Sequence, residues 1–334
     1  MKKKFTLPLT LSILMFGIGC TVGYVVHPDK EMSRKTVKST DEIANDEHIS
    51  RELRFLESSL DTIHKIKANP IPGEWLYHNK EVQQSSQEFL HDFPDLISEK
   101  RDKIYLQPIG AMSPKQEEIL KITADYLSVF YNATVQIEDS LSADVVPKSA
   151  RRFDDFFERD QFKTTYILDE VLKPNIPKDA RAYVGFTSYD LYPNDNYNFV
   201  FGQGRIGGKV GIYSLARLGY PDFDSTQYKI CLKRTLKLAS HELGHIFGMT
   251  HCVQYECIMN GSNTLEESDS KPFYLCPIDL LKVCQAGSID EIYRFQKLGE
   301  FWEKHGFKEN KAFYDLSIKL LQENLFRREG SLVY

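Results

Sequence analysis

The sequence has few cysteines for its size and no strong excess of charge of either sign. Six cysteines in 334 residues are too few for the disulfide scaffold of a small secreted domain. Lysine and arginine together number 42 against 47 aspartates and glutamates, and the formal net charge is −5. Because proteins bind nucleic acid largely by neutralising phosphates, this balance predicts no nucleic-acid partner.

Internal repeats, low-complexity stretches and long apolar runs are also scarce. The chain is 42% hydrophobic, 12% aromatic and 27% charged, which is typical of a folded globular protein rather than a disordered or fibrous one. The exception is an apolar run at residues 5–26, directly after Lys2, Lys3 and Lys4.

A basic start followed by an apolar stretch is typical of an export signal or a membrane anchor. Three outcomes stay open: lipidation of Cys20 as in a bacterial lipoprotein, retention of the run as a single membrane span, or simple cleavage. The sequence therefore predicts an exported protein attached to a membrane through its N terminus, with the bulk of the chain on the non-cytoplasmic side.

Composition divides the chain into three predicted parts. Residues 1–26 form the signal or anchor, and residues 27–100 are polar, which indicates a tether with a peripheral helical segment around Ile49 and Leu56. Residues 101–334 form the main folded domain. In it, strand patterns alternate with helical ones, and this alternation predicts a mostly parallel sheet backed by helices. Strands are expected at 103–109, 134–137, 182–188, 198–201 and 210–214, and helices after Ser113, at 162–172 and after Ser288.

The glycine-rich segment 202–208 matches the pattern G-x-G-x-x-G of dinucleotide sites. A strand pattern follows it, whereas a dinucleotide site needs the N terminus of a helix there. We interpret the segment as a connection between two strands and predict no nucleotide cofactor.

Residues 241–251 carry a spacing of histidines typical of a metal site. His241 and His245 are four residues apart, so on a helix they lie on one face and can bind one ion. Gly248 can adopt the positive φ that ends a helix, which lets His251 approach from another side. Three neutral imidazoles leave a zinc ion its full charge and one position for water, as in catalytic zinc sites.

Glu242 follows the first of these histidines in the sequence. A carboxylate at this place is predicted to take a proton from the zinc-bound water and to pass it to the leaving amine. The residues therefore predict one catalytic zinc with Glu242 as general base and acid. Two satisfied core histidines and a glycine stop are the alternative interpretation.

The stretch 241–251 resembles the extended motif of the metzincin zinc peptidases, in which a turn containing methionine follows. The downstream sequence resembles the archaemetzincin family in particular, and its animal branch more than its archaeal one. This resemblance covers about residues 100–300 and rests on His251-Cys252, Cys257-Ile258-Met259, Gly261-Ser262-Asn263, Leu265-Glu266-Glu267, Leu275-Cys276-Pro277, and upstream on Asp190-Leu191-Tyr192-Pro193 and residues 198–203.

The resemblance implies an α/β (α+β) zincin or metzincin-like fold. Such a fold has a twisted mixed sheet, a backing helix and an active-site helix, here with a small helical C-terminal subdomain. The resemblance also implies that Met259 lies under the metal as the turn methionine, and that an edge strand near 198–203 pairs with a peptide or protein substrate. Hydrolysis would proceed by attack of zinc-activated water on the peptide carbonyl.

The family also carries a second, structural zinc on four cysteines, from which this sequence departs. Cys252, Cys257 and Cys276 match, but the fourth position is Asp279. A carboxylate can bind zinc, although closed sites favour thiolate and imidazole, and Cys284 is a substitute ligand five residues later. A disulfide or free thiols are the alternative for these cysteines.

The leading prediction is a membrane-attached zinc metallopeptidase. One alternative is a catalytically silent zinc-binding protein that recognises peptides on a zincin fold. Another is an enzyme of a different hydrolytic class on the same three histidines, because a fold does not fix the substrate. The sequence does not indicate the substrate or the oligomeric state.

Overall fold

The computed structural model describes residues 40–93 and 101–330. The predicted signal or anchor at 1–26, with Cys20, lies outside the described residues. Within the described part of the chain, no helix is both long and apolar enough to cross a membrane.

The helices of the described residues lie before, between and after the strands. Their bounds are α1 Thr40–Leu60, α2 Trp75–His78, α3 Ser86–Asp92, α4 Pro114–Tyr131, α5 Thr164–Tyr166, α6 Ser225–Ile246, α7 Leu265–Ser270, α8 Pro277–Gly287, α9 Glu291–Lys304 and α10 Lys308–Gly330. Short 3₁₀ turns occur at Ala143–Val145, Lys148–Ala150 and Lys173–Asn175, and a π-helical turn, Ile167–Leu172, continues α5.

The strands of the described residues form two sheets. Their bounds are β1 Lys103–Ile109, β2 Thr134–Ile137, β3 Arg151–Asp154, β4 Arg159–Lys163, β5 Ala180–Thr187, β6 Asp190–Tyr192, β7 Gly202–Gly204 and β8 Val210–Ser214. The larger sheet has the order β2-β1-β5-β8-β7, and the smaller has the order β3-β4-β6. In the larger sheet β7 alone runs antiparallel to its neighbour, so the sheet is mixed, as predicted.

The larger sheet separates two hydrophobic clusters because successive residues of a strand point to opposite faces. In β1, Ile104 and Leu106 belong to the cluster that contains α4 and α6, whereas Tyr105 and Ile109 belong to the cluster on the other face. The architecture is therefore a mixed α/β fold with helices on both sides of a central sheet, which agrees with the mixed α/β part of the prediction.

Several predicted elements occur with the predicted bounds. β1, β2 and β8 coincide with their predicted ranges, and α4 begins as expected after Ser113, whose side chain forms a capping box with Gln116. The predicted helix at 162–172 begins two residues later, because residues up to Lys163 pair in β4.

The edge strand lies later in the chain than the predicted range 198–201. Residues 198–201 form only an isolated bridge through Val200, and the strand is formed by the first glycines of the glycine-rich segment. A Cβ on Gly202 would lie 2.8 Å from the ring of Tyr213, so only a residue without a side chain allows β7 to approach β8 this closely.

The helix expected after Ser288 begins at Glu291, and Ser288 has a different role. Ser288 adopts a left-handed conformation that ends α8, and Asp290, rather than Ser288, caps the N terminus of α9 by accepting a hydrogen bond from the Tyr293 backbone. A serine directly after a helix can serve as its C-terminal stop, which removes it as the cap of the next helix.

The helical segment before residue 101 packs more closely than a tether. Ile49, Leu56 and Leu60 of α1 are buried in the main cluster, and α1 contacts α8 and α10. The sequence predicted only a peripheral helical segment here and did not show which surface covers its apolar residues.

Candidate metal centres

Helix α6 positions the first two histidines of the motif on its buried side. The side chain of Asp224 caps its N terminus, and the helix ends at Ile246. Gly248 has φ of 101°, in the region where glycine is favoured, and it redirects the chain as the sequence predicted. The loop that follows brings His251 back beside His241 and His245.

The three histidines form a converging group of ligand atoms. One ring nitrogen from each lies within 4.8 Å of the others, and all three side chains are buried. Nε2 of His241 and Nε2 of His245 are 3.0 Å apart.

The other ring nitrogen of each histidine faces an oxygen atom. Nδ1 of His241 lies 2.9 Å from the Ile258 carbonyl, and Nδ1 of His245 lies 2.6 Å from the Met249 carbonyl. A carbonyl only accepts, so each of these Nδ1 atoms carries the proton and each Nε2 keeps its lone pair. Burial lowers the pKa of His241 and His245 well below the ordinary value, which favours the neutral rings.

This arrangement fits a zinc ion. Two nitrogen lone pairs cannot hydrogen-bond to each other, whereas a cation bound by both would bring them this close. Two imidazole nitrogens on one tetrahedral zinc, at the usual bond length, lie about 3.3 Å apart. The donor set of three neutral imidazoles is also one that zinc prefers.

Glu242 is buried beside this group. Burial raises the pKa of its carboxyl group to about 7, and the positive charge of Lys271 opposes that rise. A carboxylate in this state can hold or release a proton near neutral pH.

Lys271 is a buried cation that the sequence analysis did not single out. Its Nζ atom donates to the carbonyl of Asn260 at 2.9 Å and to Oγ of Ser262 at 3.2 Å. Burial lowers the pKa of Lys271 to about 8, and Glu242 is the nearby negative charge that most opposes this shift. The turn after Met259 therefore fixes a positive charge close to the histidine group.

The turn at 257–260 packs directly beneath the end of α6. Met259 is fully buried, and a Cβ on Gly244 would lie 2.7 Å from its Sδ atom. Glycine at 244 thus permits the close contact between the helix and the methionine. The structure places Met259 directly against α6, the helix that carries His241 and His245.

A second group of potential ligands lies next to the same turn. The ligand atoms of Cys252, Cys257, Cys276 and Asp279 lie within 4.8 Å of one another, and all four residues are buried. Cys284 is not part of this group, although it is buried in α8. The described cysteines are all free thiols, so the predicted alternative of a disulfide is not found among them.

The thiols of this group contact each other and the carboxylate. Sγ of Cys252 is 3.6 Å from Sγ of Cys276, and Cys257 donates to Oδ2 of Asp279 at 3.2 Å. The pKa of Cys252 is lowered well below its ordinary value by hydrogen bonds from the other two thiols. A closed, buried set of three thiols and one carboxylate suits a structural zinc.

Lys282 gives the carboxylate of this group a second partner. Its Nζ atom lies 2.9 Å from Oδ1 of Asp279, and both side chains are fully buried. Burial raises the pKa of Asp279, while the charge of Lys282 opposes that rise and favours the carboxylate form. One oxygen of Asp279 therefore faces the thiols and the other faces a cation.

Residues 74–93, which we call the strap, cross the loop between His245 and His251. Oε1 of Gln83 accepts a hydrogen bond from the Val253 backbone at 2.9 Å, and Nε2 of Gln84 donates to the Gly248 carbonyl at 3.1 Å. The strap thus forms hydrogen bonds with the backbone of the loop that contains His251.

The strap also contacts the third histidine itself. The carboxylate of Glu81 lies 2.9 Å from Nδ1 of His251, and the ring of Trp75 packs against the same imidazole with centroids 5.1 Å apart. Sequence reasoning missed both residues, because Glu81 precedes His251 by 170 positions and no spacing pattern connects them.

Replacing Gly248 with alanine is expected to destabilise the protein by about 1–3 kcal/mol from backbone strain alone, because φ of 101° is unfavourable for alanine. The new Cβ would also lie 2.4 Å from the ring of Phe93. Urea unfolding measures the effect. The control is Gly299→Ala in α9, where the nearest atoms are 3.8 Å away and a stabilising change is expected. Equal stabilities for the two variants would contradict this prediction.

Comparisons with known proteins show which family this chain resembles. The family model described as Peptidase family M54 matches residues 168–284. Archaemetzincin-2 of Rattus norvegicus is 32% identical over 272 residues, which are 72% of this chain and 75% of that protein. Archaemetzincin of Pyrococcus abyssi is 36% identical, over 54% of this chain and 93% of that protein. A crystal structure of archaemetzincin from Methanopyrus kandleri is 28% identical, covers 55% of this chain and 95% of that chain, and aligns with a TM-score of 0.43.

These comparisons overturn the predicted localisation. The prediction of an exported, membrane-attached protein was wrong: the matches to archaemetzincin-2 and archaemetzincin carry no sign of export or of membrane anchoring. It rested on a basic start before an apolar run, which is a feature of composition and carries no information from the folded part of the chain.

Proposed function

Because this chain belongs to the archaemetzincin family and is a zinc metallopeptidase, we propose that His241, His245 and His251 hold its catalytic zinc. The observation that carries this proposal is the convergence of three buried imidazoles, with two Nε2 atoms 3.0 Å apart. When bound, the zinc ion supplies a Lewis acid that acidifies water and polarises the peptide carbonyl.

Glu242 is the general base and acid in this proposal. Its carboxylate is buried next to His241 and its pKa is about 7, so it can accept a proton from water and later donate it to the leaving amine. Its burial also excludes bulk water, which strengthens every charge interaction inside the site. Lys271 adds a fixed positive charge nearby, which opposes protonation of Glu242 before the reaction.

The substrate is a peptide or protein, and β7 is the element best placed to bind it. β7 is the last strand of the larger sheet, so its outer edge can pair with an extended chain. A Cβ on Gly204 would lie 3.6 Å from the Glu242 carbonyl, which shows how closely this edge runs past α6. An extended peptide on β7 would therefore run alongside the part of α6 that contains Glu242.

A second, structural zinc on Cys252, Cys257, Cys276 and Asp279 completes the proposed site. Asp279, rather than Cys284, is the fourth ligand in this proposal, because its carboxylate already contacts the thiols. With Met259 under α6, these features support a zincin or metzincin-like catalytic domain over 101–334. The segment 40–93 packs on this domain through α1 and the strap.

The test is digestion of a mixed peptide library by the zinc-loaded full-length protein, with products identified by mass spectrometry and zinc counted by native mass spectrometry. We expect the wild type to cut peptides and to hold two zinc ions. His245→Ala should hold one zinc ion and make no cuts. His48→Ala, at an exposed position on α1, should match the wild type. Cutting by His245→Ala would refute the assigned site, and a zinc-loaded wild type that cuts nothing would favour the silent peptide-binding alternative.

A further inference from the structure

The structure assigns Glu81 as a positioning residue that fixes the ring and tautomer of His251, the third proposed zinc ligand. This inference rests on the proposed function of the three histidines. It extends the metal site to the strap, which lies before residues 168–284, the region matched by the family model.

The contact is close and involves both carboxylate oxygens. Oε1 and Oε2 of Glu81 lie 3.0 and 2.9 Å from Nδ1 of His251. The His251 side chain is 2% exposed and that of Glu81 is 27% exposed, so solvent reaches the carboxylate but hardly reaches the ring. The pair is therefore desolvated mainly on the histidine side, where a hydrogen bond contributes most.

The chemistry of the acceptor differs among the three histidines. His241 and His245 donate from Nδ1 to backbone carbonyls, whereas His251 faces a carboxylate. A carboxylate is a stronger acceptor than a carbonyl, because hydrogen bonds to ionised groups are shorter and stronger. A proton held at Nδ1 leaves the lone pair on Nε2, and a carboxylate partner makes that nitrogen a more basic ligand.

His251 also has the greatest need for such a partner. His241 and His245 are fixed by the backbone of α6, whereas His251 lies in a loop after the glycine that ends the helix. The strap restrains this loop, since the side chain of Gln83 accepts a hydrogen bond from the backbone of Val253, two residues after His251. Trp75 makes a T-shaped ring contact with the same imidazole, which limits rotation of the ring.

The test measures metal affinity rather than activity. Cobalt(II) is the probe, titrated into the metal-free full-length protein in competition with a chelator. Cobalt on three thiolates gives thiolate-to-metal charge-transfer absorption, whereas cobalt on three imidazoles gives ligand-field bands alone, so the two sites are followed separately. We expect Glu81→Gln to weaken cobalt binding at the histidine site about 10- to 100-fold and to leave the thiolate site unchanged.

Two control variants separate the effect of the Glu81 carboxylate on His251 from the effect of a loosened strap. Glu47→Gln removes an exposed carboxylate on α1 and should bind cobalt like the wild type. Gln83→Ala loosens the strap but keeps Glu81, and it should weaken binding less than Glu81→Gln does. If Glu81→Gln does not fold, Glu81→Asp serves, because its shorter side chain no longer reaches Nδ1 and should lower affinity in the same direction.

Two results would overturn the inference: affinity of Glu81→Gln within twofold of the wild type, or an equal loss in Gln83→Ala. Failure of the proposed function looks different. In that case the wild type itself shows no ligand-field band that His245→Ala removes.

Discussion

Glu242→Gln is expected to lower kcat/KM for peptide hydrolysis about 10²- to 10⁴-fold while the protein keeps its full zinc content. Glutamine has nearly the same size and shape as glutamate but cannot take a proton from water. Burial and the charge of Lys271 are what shift the pKa of Glu242, and the substitution keeps the buried volume nearly unchanged. The loss should therefore be chemical rather than conformational.

Three measurements on the same preparations separate a chemical loss of activity from a conformational one. Cleavage rates are taken on one peptide found in the library, zinc is counted per chain, and thermal melting reports stability. Because burial of an ionised group is costly, the neutral glutamine should melt at the same temperature or higher. A variant that keeps both zinc ions and more than a tenth of the wild-type rate would show that another group accepts the proton.

The parts of the site within one helix and its loop could be predicted from the sequence. His241, His245 and Gly248 depend on helical periodicity and on the conformational freedom of glycine, both of which act over a few residues. The strands β1 and β8 were also predictable because each is a short buried run between clear breaks, and β2 because polar and apolar residues alternate along it.

The choice between Asp279 and Cys284 could have been made from the start of α8. Pro277 marks the first turn of that helix, and Cys276 is its N-terminal cap. Asp279 is three residues after Cys276, which places both on one side of the first turn. Cys284 lies more than two helical turns after Cys276, too far from the first turn to reach the other thiols, so Asp279 is the residue of this pair that joins them.

The contacts of the strap could not have been predicted in this way. The carboxylate of Glu81 and the ring of Trp75 reach His251 from a segment whose composition indicates a tether. Their positions depend on how α1 and α3 pack on α8, which is a property of the assembled core and leaves no local pattern. The register of β7 was missed for a similar reason, because it depends on the approach of Tyr213 and α6.

Asp279→Ala is expected to remove the second zinc and to destabilise the protein by about 3–5 kcal/mol even before the loss of the metal is counted. The reason is Lys282, whose buried ammonium group would lose its carboxylate partner. Oε1 of Gln84 lies 3.2 Å from the same Nζ atom and would remain as a neutral partner. The matched control is Asp125→Ala, which breaks an exposed pair with Lys304 and should cost at most about 1 kcal/mol.

The same substitution should also lower activity, because one turn serves both metal groups. Cys257 belongs to the thiol group, the carbonyl of Ile258 accepts from His241, and Met259 packs on Gly244. Releasing Cys257 would therefore loosen the acceptor that orients His241. Asp279→Cys places a fourth thiol at this position, so this variant should keep two zinc ions. Urea unfolding, zinc content and cleavage rate are compared across the three variants, and an Asp279→Ala protein with two zinc ions and wild-type stability would contradict the proposed ligand set.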